Sequence, residues 1–162
     1  MKKLVISIVL LNFLAACASE KPKEAEITAP AQEATATAPE TTPDVDALND
    51  PGNILSKRSV YYPFDVSAVQ DADKPLVQAH AKFLGENADR KVRLEGNADE
   101  RGSNEYNLAL GQRRADGVKK MLTLGGAKSS QVETASYGEE KPVATAHDEA
   151  SWSQNRRTDI KY

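Results

Sequence analysis

The order of apolar and polar positions predicts alternating strands and helices over the second half of the chain. Strands are predicted at 59–64, 91–95, 131–137 and 158–161. Two long helices are predicted at 74–87 and 106–124, and a short helical turn near 151–155. This β-α-β-α-β-(α)-β order predicts an α/β sandwich in which the helices cover one face of a mixed four-stranded sheet.

One face of each long helix is expected to form the core. In the first helix the apolar face consists of Leu76, Ala79, His80 and Phe83, flanked by Val77 and Leu84. In the second helix it consists of Leu110, Val118, Met121 and Leu122. Because His80 lies on an apolar face, we expect a packed side chain rather than a metal ligand.

The N-terminus has the pattern of an export signal. Lys2 and Lys3 precede an apolar run at 4–14, which is shorter than the roughly 20 residues that span a bilayer. We therefore interpret residues 1–16 as a signal peptide. Leu14-Ala-Ala-Cys17 resembles a bacterial lipobox, which implies lipidation of Cys17, and Ala18 after it favours the outer membrane. An ordinary signal peptide that happens to precede a cysteine is the alternative.

Residues 17–52 are predicted to form a disordered tether that begins with the lipidated cysteine. The stretch 18–52 contains no aromatic residue, five prolines, and eight acidic against two basic residues. Such a composition buries too little apolar surface to offset the entropy of ordering. Residues 53–162 carry 17 basic and 16 acidic residues and are long enough for one folded domain.

Composition and charge exclude several kinds of site. The whole chain has 21 basic and 24 acidic residues, a net charge of −3, so we expect no nucleic-acid partner. The chain has one cysteine and two histidines far apart in sequence, which provide neither a disulfide framework nor a local metal motif. We predict no metal site and no cofactor.

The segment between the second strand and the second helix carries the most specific motif. It reads Glu95-Gly-Asn-Ala-Asp-Glu-Arg-Gly-Ser-Asn-Glu-Tyr-Asn-Leu-Ala-Leu-Gly-Gln-Arg-Arg-Ala115. This segment resembles the peptidoglycan-binding motif of OmpA-like domains, specifically that of the peptidoglycan-associated lipoproteins of the Tol–Pal system. Further resemblance lies in the runs 137–142, 147–150 and 155–157. Asn97, where many members have histidine, and Gly111, where serine is common, depart from the pattern.

The resemblance implies a ligand, the meso-diaminopimelate of the peptidoglycan stem, whose far end carries an ammonium and a carboxylate. It assigns the ammonium to Asp99 and the carboxylate to Arg114. The other implied site residues are Asp65, Asn97 and Arg101, which complete the cleft, and Asn107 and Leu110, which shape it. Without the resemblance, the favoured interpretation of Asp99, Glu100 and Arg101 is that they form solvated ion pairs.

The function implied is that of a non-catalytic, lipid-anchored protein on the periplasmic face of the outer membrane. By resemblance its partners are peptidoglycan and the propeller protein TolB of the Tol complex, with a role in cell division. One alternative is a glycan hydrolase that uses Asp65 and Asp99, or Glu95, as a carboxylate pair. Another is a stator-type motor protein, which needs a membrane-spanning helix that the run 4–14 is too short to supply.

Overall fold

The computed structural model describes residues 45–162, so the predicted signal peptide, Cys17 and most of the predicted tether lie outside the described residues. The helices are α1 Val45–Asn49, α2 Lys74–Glu86, α3 Asn104–Leu124 and α4 Glu149–Asn155. The strands are β1 Ser59–Tyr61, β2 Val92–Asn97, β3 Val132–Gly138 and β4 Arg157–Lys161. Short 3₁₀ turns stand at Ile54–Ser56 and Ser129–Gln131. Within 45–162, no helix has both the length and the apolar character needed to cross a membrane.

The four strands form one mixed sheet in the order β1-β4-β2-β3. β2 and β3 run parallel, whereas β4 pairs antiparallel with both β1 and β2. Because β2 and β3 are parallel, the chain between them must cross over, and α3 makes this connection. The predicted fold class, helices packed against a mixed four-stranded sheet, is confirmed.

The core lies between the sheet and the two long helices. Leu94 and Ile160 face each other across β2 and β4 and are fully buried, whereas Arg93 is exposed on the other face of the sheet. The apolar faces predicted for α2 and α3 are buried, apart from Ala79 and Met121, which are partly buried.

Two glycines bring α3 directly onto β2. A Cβ atom on Gly96 would lie 1.9 Å from the carbonyl oxygen of Gly111, and one on Gly111 would lie 2.3 Å from Oγ of Ser136. Our prediction that β2 ends before Gly96 is wrong, because Gly96 continues the strand at this close approach. The contact places the next turn of α3, which carries Arg114, against the loop that follows β2.

His80 is a packed side chain, as predicted. It is fully buried, its Nε2–H donates to the carbonyl of Lys57 at 2.9 Å, and Nδ1 therefore accepts from the Tyr162 hydroxyl at 2.8 Å. Burial lowers the pKa of His80, which favours this neutral tautomer.

The folded domain begins earlier than predicted. Residues 45–49 form α1, and Leu48 is buried in the core, with its carbonyl accepting from Arg58 Nη2 at 2.8 Å. The predicted boundary between residues 52 and 53 therefore falls inside the packed part of the chain. Composition alone did not separate these residues from the acidic stretch before them, because Leu48 and the small Ala47 provide the packing.

Helix starts also differ in detail from the predicted ones. α3 begins two residues before Tyr106, because Oγ of Ser103 accepts from the backbone N–H of Tyr106 at 3.2 Å and caps the helix. α2 begins at residue 74, as predicted. The carboxylate of Asp73 before it accepts from the backbone N–H of Tyr61 at 3.1 Å and does not cap the helix.

Candidate functional site

A cleft of about 200 Å³ opens beside the N-terminal half of α3, between the loops that follow β1 and β2. Its lining residues are Phe64, Asp65, Asp99, Arg101, Gly102, Tyr106, Leu110, Arg114 and Arg156. Five of the seven predicted site residues are among them, whereas Asn97 and Asn107 are not. The lining has three guanidinium groups and two carboxylates, which leaves one positive charge in excess.

Asp99 is a buried carboxylate held by two arginines. Its Oδ2 accepts from Arg101 Nε at 3.2 Å and Nη2 at 2.5 Å, and from Arg156 Nη1 at 3.2 Å. Among the described residues, Oδ1 accepts from one donor, the backbone N–H of Arg101 at 3.1 Å. Burial acts to raise the pKa of Asp99, but the hydrogen bonds from Arg101 and Arg156 outweigh it and lower the pKa. Asp99 is therefore ionised, and these contacts leave acceptor capacity on Oδ1.

Arg101 lies between two aromatic rings at the rim of the cleft. Its guanidinium carbon is 4.1 Å from the ring centroid of Phe64 and 4.2 Å from that of Trp152. The hydrogen bond to Asp99 raises the pKa of Arg101. The ion pair between Asp99 and Arg101 is thus a stacked, partly buried arrangement and differs from the solvated pairs of the alternative interpretation.

Arg114 is fully buried and joins the two loops of the cleft. Its Nε donates to the carbonyl of Val66 at 2.9 Å, Nη1 to that of Asn97 at 2.7 Å, and Nη2 to that of Pro63 at 3.4 Å. Burial lowers the pKa of Arg114 to about 10, so the side chain stays charged at neutral pH. Arg114 therefore has a structural role that the sequence analysis did not predict.

Asp65 and Tyr106 close one side of the cleft. Asp65 has a left-handed backbone conformation, with a φ of 59°, and its carboxylate accepts from the Tyr106 hydroxyl. This hydrogen bond raises the pKa of Tyr106. Both side chains are exposed and accessible to a ligand.

Asn97 and Asn107 support the cleft from outside its lining. The backbone carbonyl of Asn97 accepts from Arg114, and its Nδ2 donates to the carbonyl of Glu95 at 3.0 Å. Asn107 is buried and donates to the carboxylate of Glu139. The predicted shaping role of Asn107 fits this position, whereas Asn97 does not reach the cleft with its side chain.

Four lining residues were not predicted from the sequence: Phe64, Gly102, Tyr106 and Arg156. Arg156 is buried, and its Nε donates to the carbonyl of Tyr62 at 3.0 Å while its two other nitrogens bond Asp99 and Glu149. The run 155–157 was part of the family resemblance, so it was the signal that pointed to Arg156. Within residues 45–162, no group of three or more histidine, cysteine or acidic side chains is placed to hold a metal ion.

Comparison with known protein families matches residues 61–156 to the OmpA family. The chain belongs to the OmpA family. Among its relatives is the peptidoglycan-associated lipoprotein of Pasteurella multocida, which is 50% identical over 104 residues, covering 64% of this chain and 69% of the relative. The peptidoglycan-associated lipoprotein of Pseudomonas putida is 44% identical over 115 residues, covering 71% of this chain and 69% of the relative. The resemblance stated from the motif at 95–115 is confirmed.

Two solved structures agree with the fold. The crystal structure of the peptidoglycan-associated lipoprotein from Burkholderia pseudomallei superposes with a TM-score of 0.71 at 54% identity, covering 72% of this chain and 99% of that one. The C-terminal domain of Helicobacter pylori MotB superposes with a TM-score of 0.56 at 20% identity, covering 62% of this chain and 79% of that one. At that identity the second likeness concerns the fold alone.

Proposed function

We propose that this protein binds peptidoglycan non-covalently through the cleft, by the diaminopimelate of the peptide stem. The observation that carries the proposal is a buried, ionised Asp99 in the same small cleft as three guanidinium groups. The names of the relatives, peptidoglycan-associated lipoproteins, support the same ligand.

The free hydrogen-bonding capacity of the cleft matches the two charges at the far end of diaminopimelate. The unused acceptor capacity of Asp99 Oδ1 suits the ligand ammonium. A guanidinium has five N–H groups, and three of those on Arg114 bond carbonyls, which leaves one on each Nη for a carboxylate.

A glycan hydrolase is less well supported. The general acid of a glycosidase needs a carboxyl pKa that is raised toward neutrality, whereas the pKa of Asp99 is lowered. Glu95 does not line the cleft, and its carboxylate accepts from Tyr137 at 3.4 Å.

Incubation with purified sacculi tests both functions together. We expect the full chain to co-sediment with sacculi, to be displaced by diaminopimelate stem peptide, and to release no muropeptides. Release of muropeptides would support the hydrolase instead. Failure to co-sediment, or co-sedimentation that the stem peptide does not reverse, would contradict the proposal.

We further propose that lipidated Cys17 anchors the protein to the outer membrane on its periplasmic face, with a tether at 18–44. This anchor would let the domain link the membrane to the cell wall. TolB and the Tol complex are the proposed protein partners, with a role in envelope integrity and cell division. These proposals depend on the resemblance to the family and on the lipobox-like sequence before Cys17.

Cys17→Ala is expected to abolish incorporation of labelled fatty acid and to release the protein from the membrane fraction. The physical reason is that several acyl chains together hold a protein on a bilayer, whereas one holds it only marginally. Ser19→Ala is the matched control and should be lipidated and fractionate like wild type. Lipidation of the Cys17→Ala variant would show that another residue is the anchor.

A further inference from the structure

Trp152 forms one wall of the Arg101 stack but does not line the cleft. The side chain comes from α4, whereas Arg101 comes from the loop after β2, so the contact joins two distant parts of the chain. Arg101 in turn donates two side-chain hydrogen bonds to Oδ2 of Asp99. Trp152 therefore contacts the residue that orients the buried carboxylate.

Trp152 is itself held in place by a residue of the loop after β2. Its indole Nε1–H donates to Glu100 Oε1 at 2.7 Å, and His147 Nδ1 lies 2.7 Å from the same oxygen. The hydrogen bonds from His147 and Trp152 lower the pKa of Glu100, so the acceptor is ionised at neutral pH. A charged acceptor makes a stronger hydrogen bond than a neutral one, which fixes the plane of the indole.

A second residue of α4, Glu149, also contacts the arginines that bond Asp99. Glu149 lies 3.5 Å from Arg101 Nη2 and 2.5 Å from Arg156 Nη2. Both guanidinium groups that bond Asp99 thus also contact α4. One short helix supports both charged partners of the carboxylate from outside the cleft.

We propose that Trp152 is a positioning residue for ligand binding. It holds Arg101 between two rings, so that Arg101 bonds Oδ2 of Asp99 and leaves Oδ1 for the ligand ammonium. Glu100 holds Trp152. This inference rests on the proposed function, since it names the residue that sets the geometry of the same site.

Calorimetric titration of the detergent-solubilised full chain with diaminopimelate stem peptide tests the inference. Trp152→Leu should lower the affinity by about three- to tenfold, because the stack on Arg101 loses one aromatic wall. Trp152→Phe keeps a ring beside Arg101 and should stay within about twofold of wild type. Leu124→Ala, a change at an exposed apolar residue outside the lining, is the control and should bind like wild type.

A double-mutant cycle separates positioning from a general structural effect. If Trp152 acts through Arg101, Trp152→Leu should cost no further affinity in an Arg101→Ala background. An equal loss in both backgrounds, or no loss in either, would overturn the inference. The inference would also be overturned if Trp152→Phe lost affinity for the stem peptide together with Trp152→Leu.

Fluorescence provides a readout that needs no ligand. Trp152 is the single tryptophan of the chain, so its emission reports the stack directly. Arg101→Ala should shift this emission, whereas Arg113→Ala, a change at an exposed arginine of α3, should not. If wild type fails to bind stem peptide but Arg101→Ala shifts the emission, the proposed function is contradicted, whereas the contact between Trp152 and Arg101 is supported. An unchanged emission would show that the stack is absent in solution and would overturn the inference.

Discussion

We expect Asp99→Asn to weaken binding of the diaminopimelate stem peptide by about ten- to a hundredfold, the loss of one charge-assisted contact. The amide oxygen would turn toward Arg101 and Arg156, because both side chains only donate. Its NH₂ group would then occupy the position of Oδ1, where it faces the backbone N–H of Arg101 and the ligand ammonium. The new NH₂ group, the backbone N–H of Arg101 and the ligand ammonium are all donors, so the hydrogen bonds that Oδ1 accepts in wild type would be lost.

The same variant should also change the pH dependence of stability. Because the folded-state pKa of Asp99 is lowered, its carboxylate stabilises the fold above the unfolded pKa and loses that effect as the pH falls through the folded pKa. The difference in free energy of unfolding between wild type and Asp99→Asn should therefore be constant above about pH 5 and shrink below about pH 4. Urea denaturation of both proteins over a series of pH values measures this difference in free energy of unfolding.

Asp89→Asn is the matched control for this prediction. Asp89 is exposed in the turn before β2, and its replacement should leave both affinity and the pH series unchanged. Normal binding by Asp99→Asn would remove Asp99 from the ligand site and would assign it a purely structural role.

The helices and the sheet were predictable because they follow from local patterns. Leu76 and Phe83 recur at helical spacing, and Leu94 alternates with the polar residues Arg93 and Glu95 as in a strand with one buried face. Ser103 could have been identified as the start of α3, since a serine before a helical stretch is a common cap. The position of β4 between β1 and β2 could not be read from spacing, because strand order depends on pairings far apart in sequence.

Most of the predicted cleft residues lie within the family motif, and Asp65, outside it, was assigned by the same resemblance. Asp99, Arg101 and Arg114 lie within the motif at 95–115, and the structure brings all three to the cleft. Phe64 and Trp152 lie outside it, and their role depends on a stack with Arg101 that no local pattern encodes. The bonds from Arg114 to Pro63 and Val66 likewise join residues 51 and 48 positions apart.

The buried position of Arg114 changes what its replacement is expected to do. Arg114→Lys should lower the free energy of unfolding by about 2–4 kcal/mol, because one ammonium cannot reach all three carbonyls and leaves buried acceptors unpaired. Arg113→Lys, a change at the exposed neighbour, should cost almost nothing. Urea denaturation compares the two variants. Equal stability of both would show that the bonds to Pro63, Val66 and Asn97 do not contribute.

Since the mutation disturbs the loops as well as the ligand contact, the ligand itself must provide the test of carboxylate binding. Amidating the free carboxylate of diaminopimelate removes the proposed partner of the two remaining N–H groups on Arg114 and leaves the protein intact. We expect wild type to bind the amidated stem peptide about ten- to a hundredfold more weakly than the free one. Arg114→Lys should bind both peptides weakly and nearly equally, because an ammonium does not reproduce the planar pair of donors. If wild type binds both peptides equally, Arg114 does not hold this carboxylate, and its buried guanidinium serves only to join the loops of the cleft.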